Sequence, residues 1–470
     1  MRSMIFSYYV FLGDDYMANI KAIILAGGKG TRMKSELPKV LHKVYDKCII
    51  DYVCDACKDA DISKSYVIVG HKHELVEENL KSREDVTCIL QKEQLGTGHA
   101  VMQAQEYIND DDLIIVVNGD MPLISSYTIK SIISFVELGN FDGALASAVF
   151  EKTPAYGRII RDSQGNLSKI VEQKDCNEEE LAVEEVNIGL YCFKGKCLKE
   201  SFAKLDNKNA QNEYYITDIP YHIIQKGGRI GVYMIQDPDE TQGINSRSDL
   251  SIVTKTMLKS TREFHMDNGV TLIDPSNTYI SLNAKIGKDT IIYPETNIQG
   301  NTVIGENCVI GPNSHIISSK IGNNVCIETS KVTDSIIKDN CKIGPFAHIR
   351  PNTNLDRNVK VGSFAETKNV NVGENTKIPH LIYTGDADIG KNVEIACGAI
   401  TANMNTKWEK NRTTIKDGAF IGCNSVLLAP VTIGENSIIG AGSTINEDVP
   451  ANSLAIAREK QTTKVDYFKK

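Results

Sequence analysis

Residues Ile286–Ile316 read IGKDTI IYPETN IQGNTV IGENCV IGPNSH I, with an aliphatic residue opening every block of six. The same spacing returns at Ile337, Ile343, Ile349, Leu355 and Val361, and again at Ile415, Ile421, Leu427, Ile433, Ile439 and Ile445. A helix repeats every 3.6 residues and a strand every two, so neither produces a period of six. A left-handed parallel β-helix does: each hexapeptide makes one flat side, its aliphatic residue points inward, and stacked coils bury one continuous apolar column. Glycine often follows the aliphatic residue, as in Ile304-Gly305, Ile343-Gly344, Ile433-Gly434 and Ile439-Gly440, and is read as the residue that permits corner conformations. The period breaks near 379–388 and 402–414, which predicts two loops thrown out of the coil, where function tends to sit.

Upstream the pattern is different. Ala22–Leu25, Tyr66–Val69, Cys88–Leu90 and Leu113–Val117 are short, continuous and rich in β-branched residues, as strands buried on both faces of a mostly parallel sheet should be. Helical spacing fills 50–60, 72–82 and 97–107, so this half is a Rossmann-like α/β domain. Leu250, Val253, Met257, Leu258 and Phe264 form one apolar stripe that Asn268-Gly269 terminates, which predicts a helix over 248–268. The expected organisation is therefore an extension over 1–16, an α/β domain over 17–247, a linker helix over 248–268, a β-helix over 269–457 and a tail over 458–470.

Composition agrees with a multidomain globular chain. At 470 residues, two or three domains are expected at roughly 150 residues each. Lys and Arg total 52 against 60 Asp and Glu, a formal charge of −8 that offers no general footprint for nucleic acid. No run of 18 apolar residues is present, which excludes a spanning helix, and no membrane partner is expected. Twelve cysteines without a regular framework read as reduced thiols and point to the cytoplasm. Residues 1–16 faintly echo a signal peptide, but Asp14-Asp15 interrupts the apolar run and no cleavage site follows.

Leu25-Ala26-Gly27-Gly28-Lys29-Gly30-Thr31-Arg32-Met33 follows the first strand directly. Glycines there let backbone N–H groups approach a phosphate or base edge, and Lys29 and Arg32 add charge. The spacing is not that of a Walker A loop. The segment continues to Pro38-Lys39 and is followed in order by Gln91, Gln94-Leu-Gly-Thr-Gly98 and Asn118-Gly119-Asp120. Asp120 stands at the carboxyl end of a buried strand, where open α/β sheets place ligands. A carboxylate with an amide oxygen such as that of Asn245 is a hard-oxygen pair suited to Mg²⁺ shared with substrate phosphates. For Asp120 alone, a loop-capping role is the plainer reading.

This run resembles the signature of sugar-nucleotide pyrophosphorylases. The resemblance implies in-line attack by a sugar-1-phosphate on the α-phosphorus of UTP, with Arg32, Lys39 and Mg²⁺ as the catalytic groups. It assigns Leu25, Ala26, Gly27, Gly28, Gln91, Gly96, Thr97, Gly119 and Asp120 to the nucleotide. Gly157, Glu172, Asn187 and Asn245 fall to the sugar, with Asp120 and Asn245 as metal ligands.

Further on stand Arg350-Pro, Phe364-Ala-Glu-Thr-Lys368 and His380-Leu-Ile-Tyr383-Thr-Gly-Asp386. Together with the first half, they resemble the family of bifunctional bacterial N-acetylglucosamine-1-phosphate uridylyltransferases / glucosamine-1-phosphate N-acetyltransferases, over residues 18–460. That resemblance implies Arg350, Lys368, Tyr383 and the position of Glu394 around the sugar phosphate, and His380 as general base. It implies Cys397, Asn403, Met404, Cys423, Ala441 and Arg458 around acetyl-CoA, and a homotrimer. The chain departs from the family pattern where Glu394 and Met404 replace Asn and Tyr, where Cys397 and Cys423 replace small residues, and in a loop before Arg412 one residue longer. Histidine near its ordinary pKa of about 6.5 suits proton removal from an ammonium. An alternative is a single-activity nucleotidyltransferase whose β-helix is structural or regulatory; a non-catalytic scaffold is a third reading. Cys54 and Cys57 share a helix without a second pair, so no zinc or redox site is expected there.

Overall fold

The computed structural model describes residues 19–468; the extension over 1–16 and the last two lysines lie outside the described residues. Those residues part into two compact units, one running to Thr256 and the other starting at Met257.

The first unit is built on a nine-stranded sheet. Its strands are β1 (Ile20–Leu25), β2 (Lys64–Val69), β3 (Val86–Leu90), β4 (Leu113–Asn118), β5 (Gly143–Ala148), β6 (Arg158–Arg161), β7 (Leu167–Val171), β8 (Val186–Lys194) and β9 (Ile230–Met234). The order is β9-β5-β8-β4-β1-β2-β3, with β6 against β8 and β7 against β6. The pairs β1–β2, β1–β4, β2–β3 and β9–β5 are parallel, while β8 runs antiparallel to both neighbours. Every residue of β4 from Leu113 to Val117 is buried, which is why the stretch shows no alternation. β1 and β4 end side by side, with Leu25 opposite Asn118, and the loops after them open at one edge of the sheet.

A helix spans Arg247–Asp267. Val270 N–H donates to His265 C=O and Gly269 N–H to Met266 C=O, a Schellman cap with Gly269 at φ 87°. Its buried stripe is Val253, Met257, Thr261 and His265, spaced four apart. Phe264, expected on that stripe, is instead 62% exposed. His265 takes the inward place, and burial pushes its imidazole pKa down.

The second unit is a parallel β-helix. Ile292 pairs with Ile310 and Ile298 with Ile316, so a full coil takes eighteen residues, three hexads. Ile310 pairs with Ile327, a coil of seventeen. The hexad aliphatics form one buried column from Ile292 to Ile445. Two expectations are corrected here. The corners are turned mainly by asparagine in the left-handed region, for example Asn307, Asn340 and Asn358; of the four glycines expected there, Gly344 does take a positive φ of 100°, while Gly305, Gly434 and Gly440 keep ordinary φ. The glycines of ordinary φ are needed for close stacking: a Cβ on Gly434 would sit 2.4 Å from Ala451 N in the next coil.

The second correction concerns 379–388, which is not an excursion. Strand Glu366–Val372 pairs in register with strand Tyr383–Ile389, Glu366 opposite Tyr383 and Val372 opposite Ile389. The inward positions there are Thr367, Thr384 and Thr401, all buried, so the aliphatic period disappears while the coil continues. The break at 402–414 is real, with an excursion over 403–412 closed by a bridge between Met404 and Lys410.

Candidate active sites

The glycine-rich loop after β1 is positioned by backbone contacts. Ala26 N–H donates to Ile68 C=O and Gly119 N–H to Leu25 C=O, both at 2.9 Å, which holds the ends of β1, β2 and β4 together. Gly30, at φ 59°, starts a short 3-10 turn over Thr31–Met33; a Cβ on it would lie 2.7 Å from Lys39 Cβ. On the other side, Gly98 N–H donates to Tyr214 C=O and Tyr214 N–H to Leu95 C=O, and Ile216 N–H donates to Thr97 Oγ1. Gln91 is buried, and its amide donates to Gly96 C=O at 3.2 Å.

Between these walls lies a cavity of about 530 Å³. Leu25, Ala26, Gly27, Gly28, Lys39, Gln91, Gly96, Thr97 and Asp120 line it, together with Lys29, Val40, Gln94, Ala100, Asn118 and Glu213. Gly119 supports the wall from behind, and Arg32 is exposed on its turn without lining the cavity. Glu213 was invisible in the sequence reading, because the contact that brings it in is the pairing of two distant loops.

Lys39 Nζ lies 2.5 Å from Asp120 Oδ2 and 3.1 Å from Asn245 Oδ1. A carboxylate and an amide oxygen thus converge on one cation. The donor set fits Mg²⁺, a hard ion that takes one or two protein oxygens and fills the rest with water and phosphate. Among the described residues no group of three or more His, Cys, Asp or Glu could hold a metal ion.

Gly157 just before β6, Glu172 just after β7 and Asn187 on β8 are brought together. Asn187 N–H donates to Gly157 C=O at 2.8 Å, and a Cβ on Gly157 would be 3.7 Å from the Glu172 carboxyl carbon. Asn187 Nδ2 donates to the Tyr191 hydroxyl, and Thr217 Oγ1 donates to Glu172. Burial pushes the Glu172 carboxyl up, and Asp218 nearby is raised to about 6, by burial first and then by Asp206. Asn245 sits with Asp120, not with this cluster.

In the β-helix, Arg350 N–H donates to Thr367 C=O, and its guanidinium pairs with Glu366 at 2.6 Å. Lys368 stands opposite Gly385, and a Cβ there would be 2.3 Å from the Tyr383 hydroxyl oxygen. The ammonium of Lys410, and then Arg350, pushes the Lys368 pKa down. Lys410 belongs to the 403–412 excursion, whose exit is fixed by Arg412 paired to Asp388 through Nε at 2.5 Å and Nη2 at 2.7 Å. Arg350, Lys368 and Lys410 therefore gather positive charge around one spot. Sequence reasoning missed Lys410, whose loop has no periodicity to locate it. Glu394 pairs with Lys377 at 3.2 Å, so its charge is answered there rather than at that cluster.

His380 is exposed at the end of strand Lys377–His380. Gly398 N–H donates to His380 C=O, Asn424 N–H to Cys397 C=O and Gly442 N–H to Cys423 C=O. His380, Cys397, Cys423 and Ala441 consequently stack along one corner, and the Arg458 stem lies over Gly442, 3.9 Å from where its Cβ would be. Asn403 and Asn369 both donate to Asp386, and Met404 is half exposed on the excursion.

An α/β fold with a nucleotide-sized cavity, followed by a hexapeptide coil carrying a cationic cluster and a histidine, defines a two-part transferase. The nucleotidyl transferase family matches residues 21–237, bacterial transferase hexapeptide repeats match 412–447, and a GMPPB C-terminal domain matches 275–365. Over most of its length the chain is similar to proteins described as bifunctional protein GlmU. It is 46% identical over 452 residues to that of Clostridioides difficile (strain 630), covering 96% of this chain and 98% of the relative. With that of Alkaliphilus oremlandii (strain OhILAs) the figures are 47% over 451 residues, 96% and 98%. With that of Brevibacillus brevis they are 44% over 455 residues, 97% and 98%. The chain belongs to the bifunctional GlmU family.

Proposed function

We propose that the chain makes UDP-N-acetylglucosamine by two transfers, acetylation of glucosamine-1-phosphate and then uridylyl transfer from UTP. The observation that carries the reading is the convergence of Lys39, Asp120 and Asn245 at the mouth of the glycine-lined cavity.

In the uridylyl step, a phosphate oxygen of N-acetylglucosamine-1-phosphate attacks the α-phosphorus of UTP, the bond to the bridging oxygen breaks, and pyrophosphate leaves. The nucleophile is already an anion, so no strong base is needed; orientation and charge repulsion set the barrier. Gly27, Gly28, Gln91, Gly96 and Thr97 hold the nucleotide, and Lys39 stabilises charge on the transferring phosphoryl group. Asp120 and Asn245 would hold Mg²⁺, which when bound neutralises triphosphate charge. Gly157, Glu172 and Asn187 hold the sugar. Arg32, exposed on the turn that follows the glycine loop, adds positive charge on the triphosphate side.

In the acetyl step, His380 takes a proton from the glucosamine ammonium, the amine attacks the thioester carbonyl, and CoA leaves as its thiol. Arg350, Lys368 and Lys410 hold the sugar phosphate as charge-assisted partners. Tyr383 orients the sugar, and the corner holding Cys397, Cys423, Ala441 and Arg458, with Asn403 and Met404 beside it, receives acetyl-CoA. The same reading includes a trimer in the cytoplasm. Phe346 and Phe364, stacked at 5.2 Å and exposed, offer apolar surface for a second copy to cover, and sedimentation velocity measures that association.

Two assays on one preparation test the function: pyrophosphate release from UTP and N-acetylglucosamine-1-phosphate with Mg²⁺, and acetyl transfer to glucosamine-1-phosphate. Lys39→Ala should abolish the first alone and His380→Ala the second alone. Loss of both from either change, or of neither, would refute the assignment.

A further inference from the structure

Cys397 and Cys423 occupy equivalent places in successive coils. Strand Glu394–Ile395 pairs in parallel with Phe420–Ile421, Ile395 opposite Ile421. Ala396 N–H donates to Ile421 C=O and Asn424 N–H donates to Cys397 C=O at 2.8 Å, which carries the same register on and sets Cys397 opposite Cys423. In-register neighbours of a parallel ladder lie about 4.8 Å apart, inside the roughly 4.4–6.8 Å between Cα atoms that a disulfide accepts. Side chains at equivalent positions of a ladder leave on the same side. Gly398, at φ 76°, lies under the Asn424 side chain, where a Cβ would be 2.1 Å from Oδ1, and this packing fixes the corner. Both thiols are free; Cys423 is exposed and Cys397 half-buried. Cys54 and Cys57, by contrast, are buried in the helix Ile49–Asp59, where burial raises the Cys54 thiol to about 12.

The geometry points to Cys397 and Cys423 as a dithiol that closes to an internal disulfide by exchange with a small disulfide, such as that of CoA, and so blocks acetyl transfer. The link to acetyl transfer rests on the proposed function. The Cys423 thiolate attacks one sulfur of RSSR, expelling RS⁻, which takes up the proton Cys423 gave up. The Cys397 thiolate then attacks Cys423 Sγ and releases the second RSH. Two electrons pass from the protein pair to RSSR. Cys423 reacts first because it is the more accessible. His380 precedes the pair on the same corner, so the bond would be made where the acetyl group arrives.

The full chain is reduced, freed of reductant, treated with CoA disulfide or glutathione disulfide, digested and weighed. A peptide joining Cys397 to Cys423, lighter by two hydrogens, is expected. Acetyl transfer, followed by the product's mass, should fall about tenfold or more, since small displacements at a reacting centre cost that much. Dithiothreitol should restore it, and uridylyl transfer on the same sample should not change. Cys423→Ser, compared with its own reduced form, should lose the response. Absence of the joined peptide, or a joined peptide with undiminished acetyl transfer, overturns the proposal. If the reduced chain shows no acetyl transfer at all, the functional reading fails and the joined peptide alone decides the pair.

Discussion

Gly30→Ala is the sharpest perturbation of the nucleotide site, because Gly30 itself carries no group assigned to chemistry and acts only through the stem of Lys39. Gly30 has φ 59°, and its added Cβ would meet Lys39 Cβ at 2.7 Å. Carbon atoms prefer about 3.5–4.0 Å, so one side must give by about 1 Å. The left-handed backbone costs alanine about 1–2 kcal/mol besides. Lys39 Nζ holds Asp120 at 2.5 Å and Asn245 at 3.1 Å, so a displaced stem moves the ammonium out of that arrangement. A misplacement of about 1 Å costs on the order of 10²-fold in rate, and nucleotidyl transfer should fall by that much. Gly30→Asn separates the two causes, since asparagine tolerates the left-handed region but carries the same Cβ. Both variants should lose nucleotidyl transfer, and alanine should lose more stability than asparagine by the backbone cost of about 1–2 kcal/mol. Pyrophosphate release is the assay, with acetyl transfer on the same sample as the control for folded chain. If Gly30→Ala retains nucleotidyl transfer within about twofold of the parent, well short of the expected loss, the Gly30–Lys39 contact does not set the working position of Lys39.

Lys410→Ala should raise KM for glucosamine-1-phosphate about tenfold or more, as expected for losing one charged contact worth about 1.5–3 kcal/mol, with the smaller change in kcat; an unchanged KM removes Lys410 from the site. Asp218→Asn should stabilise the first unit at neutral pH. The folded carboxyl titrates at about 6 against an ordinary value of 3.8, so the fold binds the proton more tightly and loses stability as pH rises between those values. Full linkage is about 3 kcal/mol, and solvent screening brings it to about 1–2 kcal/mol above pH 6. The gain should vanish toward pH 4, and denaturant unfolding at several pH values measures it; a pH-independent gain would contradict the cause given. Thr384→Val should stabilise the β-helix by about 1 kcal/mol, since the Thr384 hydroxyl is buried without a partner; a lower melting temperature would show that the hydroxyl is satisfied.

The β-helix was legible because one residue type marks one geometric position through many coils, and Ile292 to Ile316 need no tertiary information to be placed. The coil through Thr367, Thr384 and Thr401 was not, because threonine fills an inward place without the aliphatic signal. The strands β1, β2 and β4 could be read from continuous burial, whereas β3, also expected to be buried on both faces, stands at the sheet edge and is only part-buried along its length. The stripe on the helix Arg247–Asp267 was misread at its end, where His265 is buried and the larger, more apolar Phe264 is not. At the nucleotide site, the glycine loop, Lys39 and Asp120 came from ordered motifs. Glu213 could not, because only the pairing of Tyr214 with Leu95 brings it to the cavity. Lys410 was hidden for a related reason, since an excursion's landing point depends on Arg412 and Asp388 rather than on spacing.

Coils that stack edge to edge also make the second unit modular in length. Each inner strand bonds to the strand one coil before and one coil after, and none of the residues assigned to acetyl transfer precedes Arg350. The turns between Ile292 and Ile343 therefore work as a spacer. Excising one whole turn there would shorten the column and leave the downstream chemistry in phase, and the coils of seventeen residues from Ile310 to Ile327 and of sixteen from Ile327 to Ile343 show that a residue fewer at a corner is absorbed without moving the following aliphatic side chains off the axis.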